Sequence, residues 1–253
     1  MRVIKVGGAA LADAEWLDML ATAVTGSMTP LVLVHGGGPE ITRLSARLGI
    51  DVSWSGGRRV TSEAALDVAS MVLNGRVNKR IVSALVGAGV DALGISGEDG
   101  GLLTARIAED GELGRVGVVN AVRCELLEWM LARGIVPVVS PLSRGTDGRA
   151  LNVNADEAAS AVAAALGATE LLFLTDVAGV RVQGAVAAEL SAPAAEDLIA
   201  TEQATGGMAI KLSASLDALD RGVPAIRIGS FDVLTLADAG TRIRREAEVL
   251  ACS

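Results

Sequence analysis

The chain has no tyrosine, two phenylalanines and one histidine, and its formal net charge is −8 at pH 7. Neither an aromatic stacking platform nor a basic face can be assembled from this composition, which argues against a nucleic-acid binder. The two cysteines, Cys124 and Cys252, lie far apart in sequence without metal-type spacing or a second pair, so neither a zinc site nor a disulfide framework is indicated. That usage fits a reducing cytoplasm. Long apolar runs are missing too: Ala-rich stretches such as Ala158 to Leu166 are too short to span a bilayer. The strand-like start is followed by Asp13, Glu15 and Asp18, so no signal-peptide apolar region can form. The expectation is a cytoplasmic protein without nucleic-acid or membrane partners.

What is present is a large apolar fraction: 51% of the 253 residues are hydrophobic and 30 are glycine, enough for a sizeable core in one big domain or two lobes. Short apolar runs alternate with helical stretches: Val3 to Val6, Asp13 to Val24, Leu31 to Val34, then Glu40 to Leu48. The pattern predicts helices over Glu63 to Leu73 and Val77 to Val86, a strand at Ala92 to Ile95, a helix at Cys124 to Ala132 and a buried run from Ile135 to Val139. The second half repeats the theme with a helix at Asp156 to Leu166, a strand at Leu171 to Leu174, a helix at Ala209 to Leu219 and a strand at Ala225 to Ile228. Continuous apolar runs of this kind mark parallel strands buried on both faces. A three-layer α/β/α sandwich with a largely parallel central sheet follows. Between Leu102 and Val119 the texture changes to hairpins beside the main sheet, and the cluster Arg242 to Arg245 reads as a solvated helix or strand terminus. Turn chemistry at Asp147-Gly148 is the least obtrusive lobe boundary.

Lysine is as scarce as the aromatics, with three against nineteen arginines. Two of the three stand beside glycine pairs: Lys5 before Gly7-Gly8, and Lys211 after Gly206-Gly207-Met208. A compact ammonium beside naked backbone amides suits a crowded polyphosphate better than a broad guanidinium does. Either lysine alone could simply snorkel to water; together with the glycine pairs they favour phosphate binding. Lys79 reads as structural.

The sharpest local motif is His35-Gly36-Gly37-Gly38-Pro39, between a strand and a helix. Glycines there admit close approach of backbone N–H groups to an anion, and Pro39 is pre-organised for a first helical turn. Neither a full G-x-G-x-x-G nor a G-x-x-x-x-G-K-[ST] motif is present, which weakens the dinucleotide and Walker readings. His35 reads as structural, because phosphoryl transfer needs mainly positioning and charge stabilisation. Arg58 and Arg59 follow a glycine turn and read either as a solvated hairpin or as a carboxylate clamp. Asp156, after Asn152 and Asn154, reads either as a helix-dipole acid or as the group that holds two ammoniums in place.

Read in order, Ile4-Lys5-Val6-Gly7-Gly8, Val34 through Pro39, Gly57-Arg58-Arg59-Val60-Thr61, Val77-Asn78-Lys79, Ser96 through Gly100, Asn152-Val153-Asn154-Ala155-Asp156, Thr175 through Gly179 and Gly206-Gly207-Met208 leading to Lys211 carry a resemblance over nearly the whole length. The chain resembles the amino acid kinase family and, within it, the acetylglutamate kinases of arginine biosynthesis. The resemblance implies ATP-dependent phosphorylation of the γ-carboxylate of N-acetyl-L-glutamate, with Mg²⁺ carried on the nucleotide phosphates. It assigns Lys5 and Lys211 to charge neutralisation on the phosphoryl group in flight, Asp156 to orienting both, and the amides of Gly8, Gly36 and Gly37 to the phosphate cradle. Arg59 and Asn152 would hold the α-carboxylate and the other α-substituents, with Gly36 and Gly37 also on the substrate side. Lys5, Thr175, Asp176, Gly179, Gly207, Met208 and Lys211 would serve the nucleotide.

By the same likeness, residues 1–147 would bind the acylated amino acid and dimerise, and residues 148–253 would bind ATP. Because the chain starts at the first strand, a homodimer without arginine feedback is expected. Arg58 stands where the family usually has an apolar residue, and Gly179 to Glu189 is short for a nucleotide-side loop. The rivals are a kinase for aminoadipate or glutamate attached to a small acidic carrier protein, and a non-catalytic amino-acid or nucleotide sensor on the same scaffold. The intact third glycine of the HGGG loop and the intact Asn-Val-Asn-Ala-Asp run speak against the first; the presence of Lys5, Lys211 and Asp156 speaks against the second.

Overall fold

Val3 is buried on one face of β1 (Arg2–Val6), and Ile4 and Val6 on the other. Both faces can be apolar because β1 is an interior strand, paired in parallel with β2 (Leu31–His35) on one side and β10 (Glu170–Leu174) on the other. The computed structural model describes residues 1–7 and 9–245, so Gly8 and Cys252 lie outside the described residues.

The remaining strands are β3 (Trp54–Ser55), β4 (Arg58–Arg59), β5 (Ala92–Gly97), β6 (Leu103–Ile107), β7 (Val116–Val122), β8 (Val136–Gly145), β9 (Ala150–Val153), β11 (Arg181–Val182), β12 (Ala185–Val186), β13 (Glu189–Ser191), β14 (Ile226–Gly229) and β15 (Thr241–Arg244). The main sheet has 11 strands in the order β13-β15-β14-β10-β1-β2-β8-β6-β7-β9, with β5 paired to β8. The β3–β4 and β11–β12 hairpins pair only within themselves. The turn at Asp147-Gly148 joins β8 to β9 inside this one sheet.

Helices cover both faces. On one lie α6 (Ala155–Ala165), α7 (Ala192–Ala200) and α8 (Gly206–Asp220), packed on Val3, Val32, Val34, Leu171 and Phe173. On the other lie α1 (Ala14–Thr25), α3 (Glu63–Ser70) and α4 (Asn78–Gly87), packed on Ile4, Val6, Leu33 and Leu172. α2 (Gly38–Arg47) follows β2, and α5 (Cys124–Leu131) precedes β8. The small side chains of Ala158, Ala159, Ala161 and Ala163 let α6 sit close to the sheet, and all are buried.

Three local differences from the sequence reading have physical causes. The helix break expected after Leu73 is a π-helical segment, Met71–Val77, which joins α3 to α4 and keeps Val72, Leu73 and Val77 buried across Asn74-Gly75-Arg76. The strand expected to stop at Val139 runs on through Pro141 to Gly145, where it meets β6 and β9. The expected solvated terminus at Arg242 to Arg245 is largely β15, held between β13 and β14 with Thr241 and Ile243 buried.

Candidate active site

The C-terminal ends of β1, β2 and β10 lie side by side where the chain's connections diverge, the usual place for a ligand in a parallel α/β sheet. Lys5 projects from β1 and is 6% exposed. Asn154 caps α6, its Oδ1 accepting from the N–H groups of Asp156 (2.8 Å) and Glu157 (3.4 Å), which places Asp156 in the first helical turn. Lys211 comes from the second turn of α8. Asp156 then meets both lysines: Oδ1 lies 3.0 Å from Lys5 Nζ and Oδ2 lies 3.3 Å from Lys211 Nζ. Burial pushes the Lys5 pKa below the ordinary lysine value, with Asp156 opposing that shift and Lys211 adding to it. Two cations share one buried carboxylate, so the cluster carries an excess positive charge that an incoming anion would neutralise.

The glycine loop completes one wall. Gly36 donates its N–H to Val6 O at 2.9 Å, which extends the strand pairing. Among the described residues, the amides without a protein partner at the N-terminus of α2 are those of Gly37 and Gly38. A Cβ on Gly37 would lie 2.8 Å from Leu73 Cδ2, so a larger residue there would force the buried Leu73 side chain to move. His35 is fully buried behind the loop. Asn78 Nδ2 donates to His35 Nε2 (3.1 Å) and to Val138 O (2.9 Å), so the ring proton sits on Nδ1 and is donated to Gly36 O (3.0 Å). Burial pushes the His35 pKa down to about 4. A neutral ring thus fixes the loop, in line with a structural role.

Opposite the lysines stands the β3–β4 hairpin. Arg59 is 6% exposed and lies over the Trp54 ring, its Cζ 4.4 Å from the centroid. Its Nη2 donates to Gly38 O (3.0 Å) and Thr42 Oγ1 (2.7 Å), while Nη1 is buried without a partner among the described residues. Half of a fork is therefore held and half is open. Asn152 on β9 donates from Nδ2 to Thr61 Oγ1 (3.0 Å), which orients its amide. Lys5, Gly36, Gly37, Arg59, Asn152 and Asp156 line one cavity of about 170 Å³, with Trp54, Gly57, Arg58, Leu73 and Val116 among the other walls.

Thr175, Asp176, Gly179, Gly207, Met208 and Lys211 do not line that cavity. Thr175 and Asp176 follow β10, next to the Lys5 strand; Thr175 N–H is held by Gly229 O at 2.9 Å, and Thr175 Oγ1 donates to Asp176 Oδ1 at 3.0 Å. Gly179 leads into Val180, whose N–H is taken by Thr241 Oγ1 at 2.8 Å. Gly207 and Met208 form the first turn of α8, one turn before Lys211. Among the described residues no group of three or more His, Cys, Asp or Glu side chains gathers as a metal cage, and Asp156 is committed to the two lysines.

Four contributors escaped the sequence reading. Asn154 could have been found, since Asn two residues before an acid and an Ala-rich run is an N-cap signature. Trp54 could have been found only by pairing it with Arg59 across a hairpin. Thr42 and Leu73 carried no signal, because their place depends on α2 and the π-helical segment folding against the loop.

Residues 1–230 match the family model described as the amino acid kinase family. An acetylglutamate kinase of Roseiflexus sp. (strain RS-1) is 49% identical over 248 residues, covering 97% of this chain and 94% of the relative. An acetylglutamate kinase of Chloroflexus aurantiacus is 47% identical over 243 residues, covering 95% of each. Among solved structures, the smu.665 protein from Streptococcus mutans superposes with a TM-score of 0.86 at 30% identity, covering 97% of this chain and 98% of that one. With the lysine–carboxylate bridge and the glycine loop at the C-terminal ends of adjacent interior strands, these matches mean that the chain belongs to the amino acid kinase family.

Proposed function

We propose that the chain transfers the γ-phosphoryl group of ATP to the γ-carboxylate of N-acetyl-L-glutamate, forming the acyl phosphate N-acetyl-L-glutamyl 5-phosphate, a step of arginine biosynthesis. The observation that carries this reading is Asp156 bridging Lys5 and Lys211 at one end of a cavity whose other wall holds Arg59 with one buried, open N–H donor. The relatives named acetylglutamate kinase, similar over nearly their whole length, support the choice of substrate.

A γ-carboxylate is already ionised at neutral pH, so one of its oxygens can attack the γ-phosphorus in line without a general base. A carboxyl O–P bond forms, the bond from phosphorus to the bridging β,γ-oxygen breaks, and ADP leaves with that electron pair. Catalysis then rests on alignment and on neutralising charge spread over the phosphoryl oxygens. Lys5 and the Gly37 and Gly38 amides face that group from the glycine-loop side, Lys211 faces it from the nucleotide side, and Asp156 keeps the two ammoniums at their spacing. Arg59 Nη1 takes the α-carboxylate, and Asn152 takes the other α-substituents. Thr175, Asp176, Gly179, Gly207 and Met208 belong to the nucleotide side, in residues 148–253. The described residues offer no carboxylate cage, so Mg²⁺ would arrive with the nucleotide and would supply charge shielding there.

A homodimer in the cytoplasm belongs to the same proposal. Val86 on α4 and Leu93 on edge strand β5 are 54% and 47% exposed, apolar surface of the kind a partner subunit covers. A hexamer-sized elution peak would contradict it. Among the described residues no helix is long and apolar enough to cross a membrane.

The activity is tested with MgATP and hydroxylamine, which traps an acyl phosphate as its hydroxamate, comparing N-acetylglutamate with glutamate, aspartate and UMP. Hydroxamate with N-acetylglutamate alone is expected; no turnover with any of the four would overturn the reading.

A further inference from the structure

The β3–β4 hairpin forms one wall of the cavity, yet it pairs with no other strand. An isolated two-stranded hairpin is marginal by itself; backbone bonds of Thr61, just past β4, to Leu113 and Arg115 tie down its base, and further contacts must fix where its tip stands. Apart from Arg59, whose fork reaches the α2 turn, two contacts do so at its tip. Arg58 binds Glu157 through both Nε (3.0 Å) and Nη2 (2.8 Å), with a longer contact to Glu109 at 3.5 Å. Gly57, at φ +75°, presses against α8 so closely that a Cβ there would lie 2.7 Å from Ile210 Cδ1.

Both partners have a telling place in the sequence. Glu157 follows Asp156 on α6, and Ile210 precedes Lys211 on α8. The hairpin therefore touches the neighbour of the bridging carboxylate and the neighbour of the second lysine, while its own Arg59 is the residue placed on the substrate. Arg58 and Glu157 are each only about a quarter exposed, at 26% and 24% of their side chains, so their attraction is screened less than that of a surface pair. Glu157 Oε2 is buried without a partner among the described residues, so the carboxylate depends on Arg58 for its compensation.

We propose that Arg58 and Glu157 form a latch that holds the β3–β4 hairpin shut over the acyl-amino-acid cavity, linking capture of substrate at Arg59 to the alignment of Asp156 and Lys211. Both are positioning residues. The inference rests on the proposed activity for its kinetic readout, and a second readout is independent of it.

Arg58→Ala, Glu157→Gln and the double variant are compared with Arg58→Lys. Each single change raises KM for N-acetylglutamate about tenfold with a smaller effect on kcat and none on KM for ATP, and the double variant is no worse than Arg58→Ala, because the Arg58–Glu157 interaction is lost in all three. Arg58→Lys recovers part of the loss. In parallel, Trp16→Phe and Trp129→Phe leave Trp54 as the one tryptophan of the three, and acrylamide quenching of its fluorescence rises in Arg58→Ala and Glu157→Gln as the hairpin opens. Additive losses in the double variant, or unchanged KM with unchanged quenching, would overturn the latch. If the parent protein turns over no N-acetylglutamate, the proposed activity fails, and Trp54 quenching still decides whether the latch exists.

Discussion

Asp156 Oδ1 stands 3.0 Å from Lys5 Nζ, joining the first turn of α6 to the strand that begins the chain, while the other carboxylate oxygen reaches Lys211. Removing one partner of a buried charge cluster leaves the others uncompensated. Asp156→Asn should therefore cost about 3 kcal/mol of stability and lower kcat about 100-fold or more, because two unopposed ammoniums repel each other and lose their spacing. Urea unfolding together with steady-state turnover checks both; unchanged kcat would show that the bridge is only structural.

Lys211→Arg keeps the charge and changes its shape. A planar guanidinium cannot replace a point charge in the space beside Asp156 and the first turn of α8, so turnover should fall about 100-fold, equivalent to about 2.7 kcal/mol in the barrier. Near-normal kcat would contradict the argument from lysine's scarcity.

Arg59 holds Gly38 O and Thr42 Oγ1 with one nitrogen and leaves another open. A lysine has no fork to divide in this way. Arg59→Lys should raise KM for the acylated amino acid about 100-fold while KM for ATP stays within about twofold. Equal losses for both substrates would place Arg59 elsewhere in the mechanism.

His35 gives a pH dependence with a definite sign. Its folded pKa, about 4, lies below the value of 6.5 for an unburied ring, so below pH 6.5 the unfolded chain binds more protons than the folded one. The contribution is fully present above pH 6.5 and is lost as pH falls from there toward about 4, at a cost of about 3 kcal/mol. As the chain's single histidine, it gives a single pair of ring C–H signals in proton NMR, which should titrate near the lower value. His35→Gln should flatten the fall in Tm between pH 6.5 and pH 4.5 that the parent shows; titration at 6.5 would mean that the ring is not held neutral behind the loop.

The lysines, the glycine loop, Arg59, Asn152 and Asp156 were legible because each belongs to a short motif whose chemistry is local: an ammonium beside glycines, amides before a helix, an acid at a helix start. Element types were legible where periodicity is strong, as in β1, β2, α1 and α6. What the sequence hid is non-local. The π-helical continuity from Met71 to Val77 depends on burying Leu73 and Val77 together, and the pairing of Arg58 with Glu157 joins a hairpin to a helix far along the chain. Gly36 illustrates a finer point. The motif marks it for the cradle, while the register of β1 with β2 directs its N–H to Val6 and leaves Gly37 and Gly38 at the open loop.

The most direct test follows the atom said to be phosphorylated. N-acetyl-L-glutamate labelled with carbon-13 at the γ-carboxyl is incubated with MgATP and the protein and observed by carbon NMR. A new γ-carboxyl signal, split by coupling to phosphorus, should appear as ADP forms. ATP hydrolysis with the carboxyl signal unchanged, or phosphorylation at the α-carboxyl instead, would contradict the proposed reaction.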